Sequence, residues 1–417
     1  MISIKRLKAI CAIPVILFSP LILIISLLIN MLSGVSSYGA YIPLILSCFI
    51  LNCLVSTILL LNNHKSNLFI GASVYFVFFI IITHMAWGIL FDLGTDFFNE
   101  NFLIFLISSF VGIQSASLIK DYIVLNEVFK LFNIVMIFMV FLILAIFFAN
   151  FMLNNSLIIN NYRQPISYFG ALSFGWYIFE GYKTSLIQSK ILNRFINYKF
   201  FSIIMLIAIS IIILISLFHG GRGAFLLMLL YAAIWVFKNF SLSFFLSYRF
   251  FIALISLTFF SYILNIFISS FLEENTGNFF RAISFFYSPD SGYGLNIAGG
   301  RGEADGHYAK AITAIGESPV FGYGPMLLWD KVVHPHNIIL EIFLQYGIPL
   351  GSIVIVFLCF MLMSATRIID TSPILLVLIC FLIVYLMISG SYLRTPLFWF
   401  LLSINYKLIR NTSYTYE

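Results

Sequence analysis

Charge is what this sequence lacks. Only 9% of its 417 residues are Asp, Glu, Lys or Arg, where a soluble domain carries roughly 25%. With 62% hydrophobic residues and a mean hydropathy of +1.06, a water-soluble globule is excluded. Cysteine is scarce as well. Cys11, Cys48, Cys53, Cys359 and Cys380 all fall in apolar runs, so no disulfide framework is implied and each reads as a small residue packed between helices. The Walker A, GxGxxG, HExxH and GxSxG patterns are missing, which leaves nucleotide-driven chemistry and a serine triad without support. No internal repeat is visible.

What is present is apolar sequence in lengths that match a hydrocarbon core of ~30 Å. In lipid every backbone polar group must be satisfied within the protein, so each run is expected to be helical. The expectation is an all-α polytopic membrane protein of about twelve spans. In the first half they are Ile10–Met31, Ala40–Leu61, Leu68–Leu90, Phe102–Leu118, Leu131–Leu153 and Ile166–Ile187. In the second they are Phe200–Phe218, Ala224–Phe237, Phe250–Phe271, Asn337–Met363, Ile374–Met387 and Pro396–Ile409. The eighth and the last two are short and must borrow flanking residues or sit in thinned bilayer.

Lys and Arg are retained on the cytoplasmic side of short loops. A twelve-span path beginning inside places fifteen of the 22 basic residues there, from Lys5, Arg6 and Lys8 to Lys407 and Arg410. The outer side keeps Arg163, Arg222, Arg281, Arg301, Lys310, Lys331 and Arg394 together with most of the acids. The net charge of +6 is thus a topology signal, and no nucleic-acid partner is expected. The basic N-terminus and its apolar run resemble a signal peptide; an uncleaved first helix is preferred, because cleavage would invert the charge distribution downstream.

Three regions follow: helices one to nine over residues 1–270, a large outer loop over 271–336 and helices ten to twelve over 337–417. A loop this long is functional or disordered by its length alone. Phe279, Phe280, Phe285, Phe286, Tyr287, Tyr308, Phe321, Tyr323 and Trp329 give it packing surface and argue for order. His307–Glu317 reads as a short helix stopped by Ser318-Pro319, and Gly322-Tyr323-Gly324-Pro325 as a turn permitting positive φ or close approach to a ligand.

The outer side collects the residues capable of chemistry. Arg222, in His219-Gly220-Gly221-Arg222-Gly223, occupies a hinge too short to leave the membrane surface. Its guanidinium could grip a phosphate at two points, or simply anchor the interface. Arg301 follows Gly299-Gly300, and Arg281 lies among phenylalanines; either is a ligand group or a surface ion-pair partner. Arg163 starts the sixth span and Arg394 the twelfth, and with Arg222 and Arg301 they would focus positive potential on one face. In His334-Pro335-His336-Asn337 a histidine could take a proton from a hydroxyl, while Asn337 caps the next helix. Two histidines near His307 could ligate a metal, but without carboxylate or cysteine at ligand spacing no metal is expected. Glu180 is the only acid clearly within a span, which disfavours a transporter such as a flippase for lipid-linked sugars.

The run from Arg301 to Gly351 resembles the signature region of the O-antigen ligase and polymerase superfamily. It includes Glu317-Ser318-Pro319-Val320-Phe321-Gly322-Tyr323-Gly324, then His334-Pro335-His336-Asn337-Ile338-Ile339-Leu340-Glu341 and Gln345-Tyr346-Gly347-Ile348-Pro349-Leu350-Gly351. The Gly220-Gly221-Arg222-Gly223-Ala224 turn is similar to the family's other hallmark. The resemblance implies a glycosyltransferase acting on undecaprenyl-diphosphate-linked glycan at the periplasmic face of the bacterial inner membrane, with no cofactor, nucleotide or metal. It implies diphosphate-binding arginines at Arg222 and Arg301 and a required histidine at His336. The remaining outer arginines, with His334, Asn337 and Tyr308, are expected in substrate binding. The family often carries Trp shortly after the loop arginine; here Tyr308 stands seven residues after Arg301, which keeps Arg281 as an alternative. The run after Asn337 looks closer to polymerases, which transfer the growing chain to a new lipid-linked unit, than to ligases, which transfer it to lipid A-core. The implied partners are lipid-linked oligosaccharide, membrane lipid and, for a polymerase, a chain-length regulator.

Overall fold

The computed structural model describes residues 4–17, 72–90, 100–119, 122–152, 163–179, 198–218, 222–239, 306–326, 334–369 and 373–413, with the single positions Ile50 and Leu54. Among them every regular element is an α-helix, eleven in all. In chain order they are α1 (Ile4–Ile16), α2 (Ala72–Leu90), α3 (Glu100–Leu118), α4 (Tyr122–Met152), α5 (Arg163–Ile178), α6 (Tyr198–Phe218), α7 (Arg222–Asn239), α8 (His307–Glu317), α9 (Ile338–Ile369), α10 (Pro373–Ile388) and α11 (Pro396–Ser413). The expected spans Ala40–Leu61 and Phe250–Phe271 lie outside the described residues but for Ile50 and Leu54.

Among the described residues, four helices are long and apolar enough to cross a membrane: Ser73–Leu90, Asn101–Leu118, Ile123–Phe148 and Ile338–Met361. At 1.5 Å per residue, 18 residues reach roughly 27 Å and 26 residues roughly 39 Å. Their outer faces are apolar too. Phe78, Ile82 and Ile89 on α2, Phe138 and Phe148 on α4, and Ile353, Val356 and Phe360 on α9 are all exposed, a surface suited to acyl chains and not to water. By helix length and hydropathy the chain is a multi-pass membrane protein. Three shorter apolar helices, Ile203–Ser216, Gly223–Lys238 and Pro373–Ile388, accompany the four.

The chain divides into two compact units, residues 1–137 with 298–417 and residues 138–297. In the first, α11 is the hub, packed on α1, α2, α3, α9 and α10. Gly112 of α3 permits its closest approach: a Cβ there would stand 2.6 Å from the Pro396 carbonyl and from Cβ of Trp399. Around Trp399 gather Phe76, Phe105 and Phe398, and Ser403 Oγ donates to Ser73 Oγ at 2.7 Å. In the second unit α5 packs on α6 and α7. There Ser167 and Ser216 each donate to the other's carbonyl, at 3.1 and 2.7 Å, the small-residue, hydrogen-bonded contact expected of helices that gain little from hydrophobic association in lipid.

Differences from the sequence reading have local causes. Helix α4 starts nine residues before Leu131, since Glu127 and Lys130 pair along its surface at 2.7 Å and let a polar turn stay helical. Short α11 does borrow flanking residues, running 18 residues to Ser413. Cys11 and Cys380 are buried as expected, but Cys359 is exposed on α9, while Cys48 and Cys53 lie outside the described residues.

Candidate functional site

The site is built on a break in α9. Pro349 has no N–H to give the carbonyl of Gln345, and Gly347 adopts φ 71, ψ 177, which stops the helical ladder there. The segment after α8 supplies what is missing. Tyr323 N–H donates to the Leu344 carbonyl at 2.8 Å, Gly324 N–H to the Gln345 carbonyl at 2.9 Å, and Ile348 N–H to the Pro319 carbonyl at 2.7 Å. Gly322, at φ 66, makes the approach possible. The glycines of this turn thus serve close approach to the backbone of α9. Helix α8 follows, with Ala311 and Ala314 buried against Leu344 and flanked by Ile315, Tyr323 and Leu340. From the other side, His84 of α2 bonds the Pro325 carbonyl at 2.7 Å; a carbonyl only accepts, so His84 Nδ1 carries the proton.

Three histidines converge where the chain turns into α9. Asn337 caps the helix, its Oδ1 accepting from Ile339 N–H at 3.0 Å and Leu340 N–H at 3.2 Å. His336 just before it lies in the left-handed region at φ 52, a conformation that costs about 1–2 kcal/mol for a residue with a Cβ. Its backbone N–H donates to His334 Nδ1 at 2.9 Å, and its own Nδ1 lies 3.1 Å from the Ser389 carbonyl. These contacts set opposite tautomers. His336 must be protonated on Nδ1 to donate to Ser389, which places its lone pair on Nε2; His334 must keep its lone pair on Nδ1, which places its proton on Nε2. His307, the first residue of α8, stands edge-on to His336 with ring centroids 5.6 Å apart, and His334 lies 4.7 Å from His336. Burial, then the charges of His336, Arg394 and His307, push the His334 pKa down to about 3, so this ring is neutral at physiological pH.

Beneath the histidines lies Glu341, one turn into α9 and 1% exposed. Its Oε1 accepts from Ser391 Oγ at 2.5 Å and Gln345 Nε2 at 3.3 Å. Its Oε2, buried and without a hydrogen bond, lies 3.8 Å from His334 Nε2. The polar chain continues through Tyr392, which donates to Gln345 Oε1 at 2.5 Å and meets the Tyr346 hydroxyl at 3.2 Å. Beside it Arg394, exposed in the connection between α10 and α11, donates to Asn101 Oδ1.

Of the residues singled out by sequence, His334, His336, Asn337 and Arg394 therefore gather around one corner of the first unit. Tyr308 is half-buried on α8. Arg163 and Arg222 are the first residues of α5 and α7 in the second unit. Arg281 and Arg301 lie outside the described residues. Sequence reasoning missed Glu341, Ser389, Ser391, Gln345 and Tyr392. It also took Glu180 as the only acid clearly within a span; Glu127 in α4 and buried Glu341 in α9 correct that, both lying inside the long apolar segments. The available signal was the i, i+4 spacing of Glu341 and Gln345 on one helix face. Among the described residues no group of three or more His, Cys, Asp or Glu is arranged to hold a metal ion. Compared with known proteins, the chain matches no family model, no curated protein and no solved structure.

Proposed function

We propose that the chain is a glycosyltransferase of the periplasmic face of the bacterial inner membrane, with both termini in the cytoplasm, that polymerises undecaprenyl-diphosphate-linked O-antigen repeat units. The observation that carries this reading is His336: its Nδ1 faces the Ser389 carbonyl at 3.1 Å, which puts a basic lone pair on Nε2 where the chain turns into a long apolar helix. The signature-like run from Arg301 to Gly351 supports the substrate class.

In the reaction a hydroxyl of the acceptor sugar attacks the anomeric carbon of the donor glycan. The anomeric C–O bond to the diphosphate breaks, and undecaprenyl diphosphate departs with the electron pair. The hydroxyl proton passes to His336 Nε2. Arg222, with Arg301 or Arg281, neutralises the charge that develops on the diphosphate; Arg163 and Arg394 add positive potential, and His334, Asn337 and Tyr308 contribute to substrate binding. A guanidinium suits this task because it meets two phosphate oxygens at once and stays charged.

The test is purified protein with lipid-linked repeat unit as both donor and acceptor, analysed for lengthened glycan and released undecaprenyl diphosphate. No lengthening would overturn the reading. Deletion of the gene separates polymerase from ligase: loss of a polymerase leaves core bearing a single repeat, and loss of a ligase leaves bare core.

A further inference from the structure

We propose that the turn after α8 is an interfacial membrane anchor: Val320 and Phe321 sit among the acyl chains of the leaflet in which α9 begins. In the orientation proposed above this is the periplasmic leaflet. The occupant is bilayer lipid, whichever reaction the protein performs.

Two helices set the depth of this turn independently. The apolar window of α2, Ser73–Leu90, has 18 residues; at roughly 27 Å it is no longer than a hydrocarbon core of ~30 Å, so all of it belongs in the core. His84 holds the Pro325 carbonyl, and the Trp87 ring lies against Gly324. These residues precede Leu90 by six and three positions, which puts the turn roughly 5–9 Å inside the end of α2. The apolar window of α9, Ile338–Met361, has 24 residues, or roughly 36 Å. Even with the whole excess of ~6 Å set at its start, Leu344 and Ile348 remain within the core, and these are the residues that pair with Tyr323 and Pro319. Helix α8 descends beside them, beginning with His307 next to His336 and packing Ala311 and Ala314 on Leu344.

Non-helical backbone at this depth has to find its hydrogen bonds within the protein. Here the N–H groups of Ser318, Gly322, Tyr323 and Gly324 all donate to backbone carbonyls, Ser318 Oγ donates to the Gly322 carbonyl at 2.9 Å, and Pro319 and Pro325 have no N–H to satisfy. The side chains left outward are apolar: Val320 is 54% exposed and Phe321 67%. Their neighbours at the same level are exposed and apolar as well, Met85 and Ile89 on α2 and Ile348 on α9. The pair thus continues the face that α9 carries through Ile353, Val356 and Phe360. The boundary with water lies close by. Lys310 and Glu317 of α8 are exposed, and the Tyr323 hydroxyl donates to Glu317 Oε2 at 3.1 Å, a pairing suited to the headgroup level. An apolar edge resting about 5–10 Å into the headgroup and acyl boundary is how an amphipathic segment holds to a bilayer surface.

The experiment uses full-length protein in phosphatidylcholine vesicles, with Phe321→Trp adding one indole to the five native ones. The emission added over the wild type is read against two quenchers: lipid brominated on the upper part of its acyl chains, and iodide present on both sides of the bilayer. For Phe321→Trp the brominated lipid should reduce the added emission about twofold or more, as expected of a ring resting in the upper acyl region, while iodide leaves it unchanged. Lys310→Trp should show the reverse, quenched by iodide and little affected by bromine. Val320→Trp repeats the measurement if Phe321→Trp fails to insert. Iodide quenching at position 321 or 320 as strong as at 310 would place the turn in water and overturn the proposal. Protection from both quenchers would overturn it too, because protein, a second copy of the chain included, would then be what covers the pair.

Discussion

A Cβ on Gly322 would stand 2.5 Å from the backbone nitrogen of Gly347, and one on Gly347 would overlap the Val320 carbonyl. Both glycines have positive φ, and each leaves room for the facing backbone: Gly322 for the 344–347 stretch of α9 and Gly347 for Val320 and Phe321. Gly322→Ala or Gly347→Ala should destabilise the protein by roughly 1–3 kcal/mol from conformation alone, with further loss from the clash. Gly316, within α8 and with nothing inside 4 Å of its Cβ position, is the control: Gly316→Ala should be neutral or stabilising by about 0.5–1 kcal/mol. Thermal unfolding in detergent measures all three, and equal midpoints would refute the interlock.

His336→Asn separates backbone from chemistry. Asn tolerates the left-handed region better than most residues, so the variant should insert and melt at least as well as the wild type. It should lose ~10²-fold or more in transfer, the usual effect of removing a general base. An active His336→Asn would take the histidine out of the reaction.

The depressed pKa of His334 gives stability a direction with pH. Folded, the ring stays neutral down to about 3; unfolded, it takes a proton near ~6.5. Between these values the unfolded chain binds a proton that the folded one does not, so the contribution is complete above ~6.5 and is lost as pH falls toward about 3, by up to ~1.4 kcal/mol per pH unit. His334→Asn offers Oδ1 in place of Nδ1 and cannot titrate. Its melting temperature should decline less than that of the wild type from pH 7.5 to 4.5; parallel curves would count against this.

Arg222 begins α7 directly after a pair of glycines. Arg222→Lys keeps the charge but not the planar two-point contact, and most transfer should be lost. Near-normal glycan from this variant would make Arg222 an interfacial anchor.

The charge distribution predicts which loops face out. Single cysteines placed at Ser291 and at Lys310, an exposed residue of α8, should react with an impermeant reagent from outside, and those at Lys190 and Lys238 from inside. Labelling of position 310 from the cytoplasm alone would invert the orientation.

Much of the helical plan was legible because lipid demands runs of fixed length. α2, α3, α6, α7 and α10 lie within a few residues of their apolar runs, and α8 spans His307–Glu317 as its spacing and terminator predict. The break in α9 escaped notice because apolarity continues unbroken across Gly347, although Pro349 two residues on was the signal. His336 stood out through its neighbours, whereas Glu341 entered only as one letter of the signature-like run. Its partner Ser391 is 50 residues away, and the Ser389 carbonyl that orients His336 is 53 away. Distances of that kind come from packing, which no local pattern records.

The exchange of hydrogen bonds between the 319–324 segment and α9 also has an order in time. Tyr323 and Gly324, the donors, leave the ribosome before Leu344 and Gln345, whose carbonyls they satisfy. When the broken helix is finally released toward the bilayer, the groups that complete it are already made and only a short stretch of chain away. A permuted chain that synthesised α9 first would have to insert it with its central carbonyls bare to lipid, an arrangement a membrane disfavours by several kcal/mol per group. The interlock is thus also a constraint on where this chain could be cut and rejoined.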